Sequence, residues 1–295
     1  MMTTLSHTPV MLDEVLSLLD PEPGMTYVDV TIGGGGHAVE VAERIGRRGR
    51  IIGIDRDPWA IEAAARRLTE TNVPFALHHG RFSDLERLLI ADGVSQVDLL
   101  LADLGVSSAQ MDDESRGFSY AADAELDMRM DPTDGETAAQ LIARLSEREL
   151  EDIIVTYGEE RYARRIAREI VRARRVGRVT TTAELTSIIV RSMPAEARRG
   201  SMHPARRTFQ ALRIAVNQEL AELEGLLSTI PNVLTLGGRA AVLAFHSLED
   251  RRVKQAFMGP GLRRLSTKPL RATEEEIGRN RRARSAKLRA VERVH

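Results

Sequence analysis

Cysteine is absent from the 295-residue chain. That absence removes disulfides, thiolate zinc sites, cysteine-held iron–sulfur clusters and every cysteine nucleophile. Aromatic residues make up only 4% of the chain, so contacts to a polyanion are expected through phosphate and shape, not a stacking platform. No apolar run approaches the roughly 18 residues that span a bilayer. No Lys or Arg precedes Arg44, so the basic n-region of a secretory signal is missing too. Net charge is almost nil, with 42 basic residues against 43 acidic. The seven histidines have no zincin spacing, and no metal is expected. No Gly-Lys-Ser/Thr follows the glycine run at 33–36, which excludes a Walker phosphate loop, and a serine triad has no elbow motif. These absences point to a soluble, cytoplasmic protein without membrane contact.

The near-neutral total hides a patchwork. Nine acidic residues lie between Asp112 and Glu136 against Arg116 and Arg129, whereas Gly261–His295 holds eleven basic residues against four acidic. Arginine is concentrated around 161–178, 198–207 and 279–289. One such run usually marks a solvated face; three in one chain suggest an anionic ligand larger than a metabolite.

Hydrophobic patterning has two regimes. Up to about residue 105, the runs 26–32, 50–55, 74–79 and 97–103 read as strands buried on both faces, with helical patterns over Val10–Leu19, Trp59–Leu68 and Asp84–Ala91. Such alternation predicts a parallel, doubly wound α/β sheet. From about 106 to 207 the strand pattern gives way to helical ones over 137–156, 159–175 and 182–192, the last capped by Thr181 or Thr182. Phe209, Leu212, Val216, Leu220, Leu223 and Leu227 then form one helical stripe, Arg239–Phe245 reads as a returning strand, and Asp250–Phe257 as a further helix. The sequence therefore predicts a discontinuous sheet domain, 1–108 and 208–295, interrupted by a helical insert, 109–207. The Pro-, Gly- and Arg-rich tail after Met258 receives no firm structure.

Gly33–Gly36 follow the first strand directly. Glycines there permit a tight turn and let the backbone approach a ligand at the next helix's N-terminus. A purely structural turn is the plainer reading of such a loop, but Asp55 strengthens the ligand reading. It ends the second strand, where a carboxylate can accept both ribose hydroxyls of a nucleoside cofactor, and it competes with the role of a helix-N-terminal acid before Pro58. Phe82, just after the third strand, can pack on a purine or simply fill the core. Asp103 ends the fourth strand and points at the same crevice by the switch-point rule.

The segments His7-Thr8-Pro9-Val10, Asp103-Leu104-Gly105-Val106-Ser107-Ser108, Arg116-Gly117-Phe118-Ser119, Leu126–Asp131, Tyr157–Arg161, His203–Arg213, Phe245–Arg251 and Arg284–Arg289 occur in that order. This set resembles the RsmH (MraW) family, S-adenosylmethionine-dependent N4-methyltransferases of a cytidine in bacterial 16S ribosomal RNA. The resemblance runs from His7 to about Arg289; one departure is Ala38, where the family more often has Ser. It implies a class I (Rossmann-like) methyltransferase fold with an inserted helical domain that recognises RNA. It also implies S-adenosylmethionine contacts at Gly35, Gly36, His37, Asp55, Phe82, Asp103 and Gln110. The partner implied is 16S ribosomal RNA or the small ribosomal subunit; oligomeric state stays open.

Cytosine N4 is a poor nucleophile because its lone pair is delocalised into the ring. A carboxylate or carbonyl accepting an N4–H bond would favour sp³ character there, a role open to Asp103 or a backbone carbonyl of Leu104–Val106, and service to the methionine amino group is the equal alternative for Asp103. His246 and Ser247 are candidates for lining the base pocket, and Arg206, Arg207 and Arg213 for gripping phosphates, with internal ion pairs as the competing use of each. Two other functions share parts of this pattern. A nicotinamide-dependent oxidoreductase would use the glycine loop and Asp55 but leaves the Asp103 segment unexplained; a non-catalytic RNA-binding assembly factor would keep the fold and lose the cofactor.

Overall fold

The computed structural model describes residues 9–199 and 202–295; His7 and Thr8 lie outside the described residues. The chain divides into two compact units, Met1–Gly105 with Leu220–His295, and Val106–Glu219. The second unit thus runs past the residue 207 expected from the sequence. The segment after 207 joins it because Phe209 and Leu212 are buried in the insert's own core, beside Leu150, Ile154 and Ile166.

The first unit opens with α1 (Leu12–Leu19), β1 (Thr26–Asp29), α2 (Gly36–Ile45), β2 (Arg50–Asp55), α3 (Pro58–Thr69), β3 (Phe75–His79), α4 (Leu85–Ala91) and β4 (Val97–Asp103). Adjacent residues point to opposite faces of a strand, and the cores divide accordingly. Val28, Ile52 and Leu100 pack with α4 in one cluster. Tyr27, Ile51, Leu99 and Leu101 pack with α1, α2 and α3 in the other. β3 departs from the expected burial on both faces. It is the sheet edge, and none of its residues is fully buried.

The second unit contains α5 (Ser108–Asp112), α6 (Ala138–Arg144), α7 (Glu147–Gly158), α8 (Ala163–Val176), α9 (Thr182–Ser192), α10 (Ala195–Arg198) and α11 (Arg206–Asn217). The single helix expected over 137–156 is two. Ser146 caps α7 by accepting the Glu149 N–H, while the Glu149 side chain accepts the Ser146 N–H, a reciprocal box that starts a new helix. α9 begins and ends where expected, with Thr181 as its cap. The acidic stretch 112–136 is held together from within. Arg116, 6% exposed, donates to the Arg129 and Met130 carbonyls, and Arg129 pairs with Asp127. Asn217 accepts the Met130 N–H and donates to the Met128 carbonyl, each at 2.7 Å.

The chain returns through α12 (Glu219–Val233), β5 (Leu234–Ala244), α13 (Ser247–Ala256), β6 (Leu262–Arg264), α14 (Glu274–Arg279) and β7 (Lys287–Arg293). The apolar stripe over 209–227 is not one helix: Gln218 takes a left-handed conformation, φ 53°, and breaks it. The seven strands form one sheet in the order β3-β2-β1-β4-β5-β7-β6. The first five are parallel, and β7 runs antiparallel between β5 and β6. This corrects the reading of the tail, whose residues complete the sheet. Its charge disguised β7. Lys287 and Arg289 are neutralised by Asp250 of α13 at 2.9 and 2.8 Å, and Arg289 is only 9% exposed. Burial raises the Asp250 pKa, but hydrogen bonds from Arg289 and Lys287 outweigh it and hold the carboxyl below its ordinary value. Among the described residues no helix is long and apolar enough to cross a membrane.

Candidate active site

Strand order reverses between β1 and β4, and ligands of open α/β sheets bind at the carboxyl ends of strands at such a point. Here those ends present acids on neighbouring strands, Asp55 on β2, Asp29 on β1 and Asp103 on β4. The glycine loop leads from β1 into α2. Gly35 sits at φ 77° as the N-cap of α2, in the left-handed region that only glycine enters freely. A Cβ on Gly36 would lie 2.8 Å from Pro9 Cγ, so the loop fits against its neighbour only without a side chain.

Asp55 fixes this loop. Its Oδ2 accepts the Gly33 N–H at 2.8 Å and its Oδ1 the Asp57 N–H at 2.9 Å. The helix-capping role weighed for Asp55 falls instead to Asp57, which accepts the Trp59 N–H at the start of α3. Each Asp55 oxygen retains acceptor capacity beyond its backbone bond. Burial raises its pKa to about 6 despite those two N–H donors.

Asp29 is 2% exposed inside a strand otherwise apolar on that side. Tyr27 donates its hydroxyl to Asp29 Oδ2 at 2.9 Å, and the Thr31 N–H donates to Oδ1 at 3.1 Å. Thr31 Oγ1 donates to the same oxygen at 3.3 Å and accepts the Asp103 N–H at 2.6 Å. The threonine thereby joins β1 to the end of β4. Burial raises Asp29 to about 6, although the Tyr27 and Thr31 donors work against it.

Asp103 is the most perturbed of these acids. Its Oδ1 is buried and has no hydrogen-bond partner among the described residues. Burial first, then the like charges of Asp29 and Glu249, raise its pKa to about 8. An unpartnered buried carboxylate oxygen, beside two more acids, calls for a ligand that brings positive charge or N–H donors. A sulfonium with an adjacent amino group has that chemistry, so the residues present fit S-adenosylmethionine.

His37 is 7% exposed, and its Nε2–H donates to the Val10 carbonyl at 3.1 Å. Burial lowers its pKa to about 4, so the ring is neutral and structural, and what it brings to the loop is a backbone N–H at the start of α2. Phe82 follows β3 in a 3₁₀ turn and packs half-buried against the core. Gln110 belongs to the second unit, where its side chain accepts the Ser107 N–H at 2.9 Å and completes the cap of α5. His246 caps α13, its Nδ1 accepting the Glu249 N–H, and Ser247 is the exposed first residue of that helix. Arg213 is committed to Glu219 through two bonds of 2.8 Å, and Arg207 donates to the Glu159 carbonyl.

Sequence reasoning missed Glu249 and Asp29. Glu249 is 2% exposed, and its Oε2 accepts the N–H groups of Phe245 and His246, so it shapes the turn after β5. Its signal is the i, i+3 capping-box spacing from His246, with histidine in the place usually taken by Ser or Thr. For Asp29 the signal is a lone acid in an apolar run, which demands buried donors.

The family model for the MraW methylase family matches residues 4–294. A protein of Sorangium cellulosum named ribosomal RNA small subunit methyltransferase H is 51% identical to this chain, covering 98% of the chain and 91% of that protein. Proteins with the same name from Pelobacter propionicus and a Synechococcus species are 48% and 49% identical. They cover 99% and 97% of this chain, and 100% and 94% of their own lengths respectively.

Proposed function

Given that the chain belongs to the MraW methylase family and is therefore a methyltransferase that uses S-adenosylmethionine, we propose that it methylates N4 of a cytidine in 16S ribosomal RNA. The small subunit's decoding-centre region is the expected locale and the cytoplasm the expected compartment, both from the family resemblance. The ribosomal substrate class follows the names of relatives 48–51% identical over nearly the whole chain. The observation that carries the chemistry is the buried, unpartnered Oδ1 of Asp103 beside Asp29 and the glycine loop.

When bound, S-adenosylmethionine supplies a methyl group activated by a sulfonium. In this reading the Gly35–His37 backbone approaches the cofactor, Asp55 accepts its ribose hydroxyls, and Phe82 packs beside its adenine. Asp103, or a carbonyl of Leu104–Val106, accepts an N4–H bond from the target base. That bond localises the nitrogen lone pair and stabilises charge as it develops. Burial and the like charges of Asp29 and Glu249 make the Asp103 carboxylate basic, and the positive charge of a bound sulfonium would hold it ionised to accept that bond. Asp103 also suits the methionine amino group, and the two uses predict different defects. His246 and Ser247 line the base pocket, positioned by the bonds that Glu249 makes to the turn after β5. The target cytidine must be unpaired or flipped out to reach such a site.

The test uses methyl-labelled S-adenosylmethionine and small subunits from cells lacking the activity, with nucleosides identified by mass spectrometry. Label in N4-methylcytidine, lost in Asp103→Asn, is the expected result. Label in another nucleoside refutes the N4 assignment, and cofactor binding without any label favours an assembly factor. Unchanged cofactor affinity with lost turnover in Asp103→Asn assigns the residue to the base; lost affinity assigns it to the amino group.

A further inference from the structure

The three arginine-rich stretches are not equivalent once folded. In the tail, Lys287 and Arg289 are bound to Asp250, and Arg279 to Glu275. Around α11, Arg207 is spent on the Glu159 carbonyl and Arg213 on Glu219. α8 differs. Its Ala163, Ile166, Ala167, Ile170 and Val171 are buried, and Arg174 turns inward to donate to the Ile142 and Leu145 carbonyls at the end of α6. Arg164, Arg165, Arg168, Arg172 and Arg175 are all exposed. At about 100° per residue these five occupy one arc of roughly 100°, opposite the buried side. Glu169, the one acid within the helix, meets Arg172 at 3.1 Å and Arg168 at 3.6 Å. Arg164, Arg165 and Arg175 have no ion pair among the described residues.

We infer that this face of α8 is a rail for the phosphate backbone of the RNA substrate, which rests on the ribosomal RNA reading above. From Arg164 to Arg175 the row is about 16 Å long at 1.5 Å per residue. It spans about five phosphates at roughly 3.4 Å of axis per strand charge. All five cations are guanidinium groups, whose forked donors match phosphate oxygens in a way that ammonium groups do not. A membrane surface is the wrong partner: amphipathic helices bind bilayers through their apolar face, and here that face is buried in the unit's core. The row carries no base-reading geometry, so it contributes register and affinity without sequence preference.

The test compares the full chain with R164Q/R168Q/R172Q/R175Q and with R47Q/R48Q/R66Q/R87Q, which removes the same charge from exposed positions of the sheet unit. Glutamine keeps helix propensity, and unchanged thermal melting and S-adenosylmethionine affinity establish that each variant is folded. Binding to unmodified, transcribed 16S ribosomal RNA is measured from 50 to 200 mM KCl. Each lost phosphate contact flattens the log K against log salt slope by about 0.7–0.9. The α8 variant is therefore expected to lose about 3 units of slope, and the sheet variant less than about 1. Equal losses in the two variants, or a wild-type slope in the α8 variant, overturn the rail. A flat slope in the wild type overturns the RNA-substrate reading itself. Wild-type binding to free RNA combined with lost binding to intact small subunits would show that the row meets an acidic protein surface instead.

Discussion

Asp103→Asn keeps the shape of the side chain and removes its charge, and the structure predicts that the cofactor-free protein becomes more stable. The folded-state pKa is raised from 3.8 to about 8. Stability linked to this group is therefore intact below pH 3.8 and is lost as pH rises towards about 8. At about 1.36 kcal/mol per pKa unit, the ceiling on the penalty is about 6 kcal/mol above pH 8 and about 2 kcal/mol at pH 5.5. Water and side-chain relaxation in the crevice lower both figures. A gain of about 1–3 kcal/mol at pH 8.5 is expected, against less than about 1 kcal/mol at pH 5.5. At about 2–4 °C per kcal/mol this is a rise of several degrees in Tm at the higher pH. Differential scanning calorimetry of both proteins without cofactor, across that pH range, measures it. A variant less stable than wild type at pH 8.5, or a Tm difference unaltered by pH, would refute the account of Asp103 as a buried acid strained by Asp29 and Glu249.

Gly36→Ala brings a Cβ to 2.8 Å from Pro9 Cγ; displacement of the loop is expected to weaken S-adenosylmethionine binding by about tenfold or more, read by isothermal titration calorimetry. Asp250→Ala leaves Lys287 and the nearly buried Arg289 without their carboxylate. A loss of about 3 kcal/mol is expected from stranding a buried charge, seen as a lower urea midpoint and faster proteolysis within β7. His37 should stay neutral down to about pH 4, and an imidazole nitrogen shift titrating near 6.5 by NMR would contradict its burial against the Val10 carbonyl.

Much of the sheet was legible because its signals are local. β2 and β4 match their expected bounds, since parallel strands covered on both faces read as continuous apolar runs. Gly35 was legible as a turn residue and Asp55 as the acid after it. Less legible were features set by partners far along the chain. β7 reads as a charged tail until Asp250, some 37 residues away, neutralises it. The break at Gln218 leaves the apolar periodicity undisturbed, so no count of spacings finds it. Asp103 was visible as a strand-end acid, but its raised pKa depends first on burial and then on Asp29 and Glu249, which only the fold supplies. The arginines illustrate the same limit. Composition marks three runs alike, and only packing shows which arginines are consumed internally and which line up along one helix face.

The way the sheet is threaded also dictates an order of assembly. Val106–Glu219 is one uninterrupted stretch whose core draws only on its own residues, so it can form as soon as that stretch leaves the ribosome. The sheet unit has no such freedom. β7 is an interior strand, between β5 and β6, and until it is made β5 has an open edge where it should pair. For the interval between synthesis of β4 and β7, the half-built crevice-bearing sheet is therefore the aggregation-prone partner of an already folded insert.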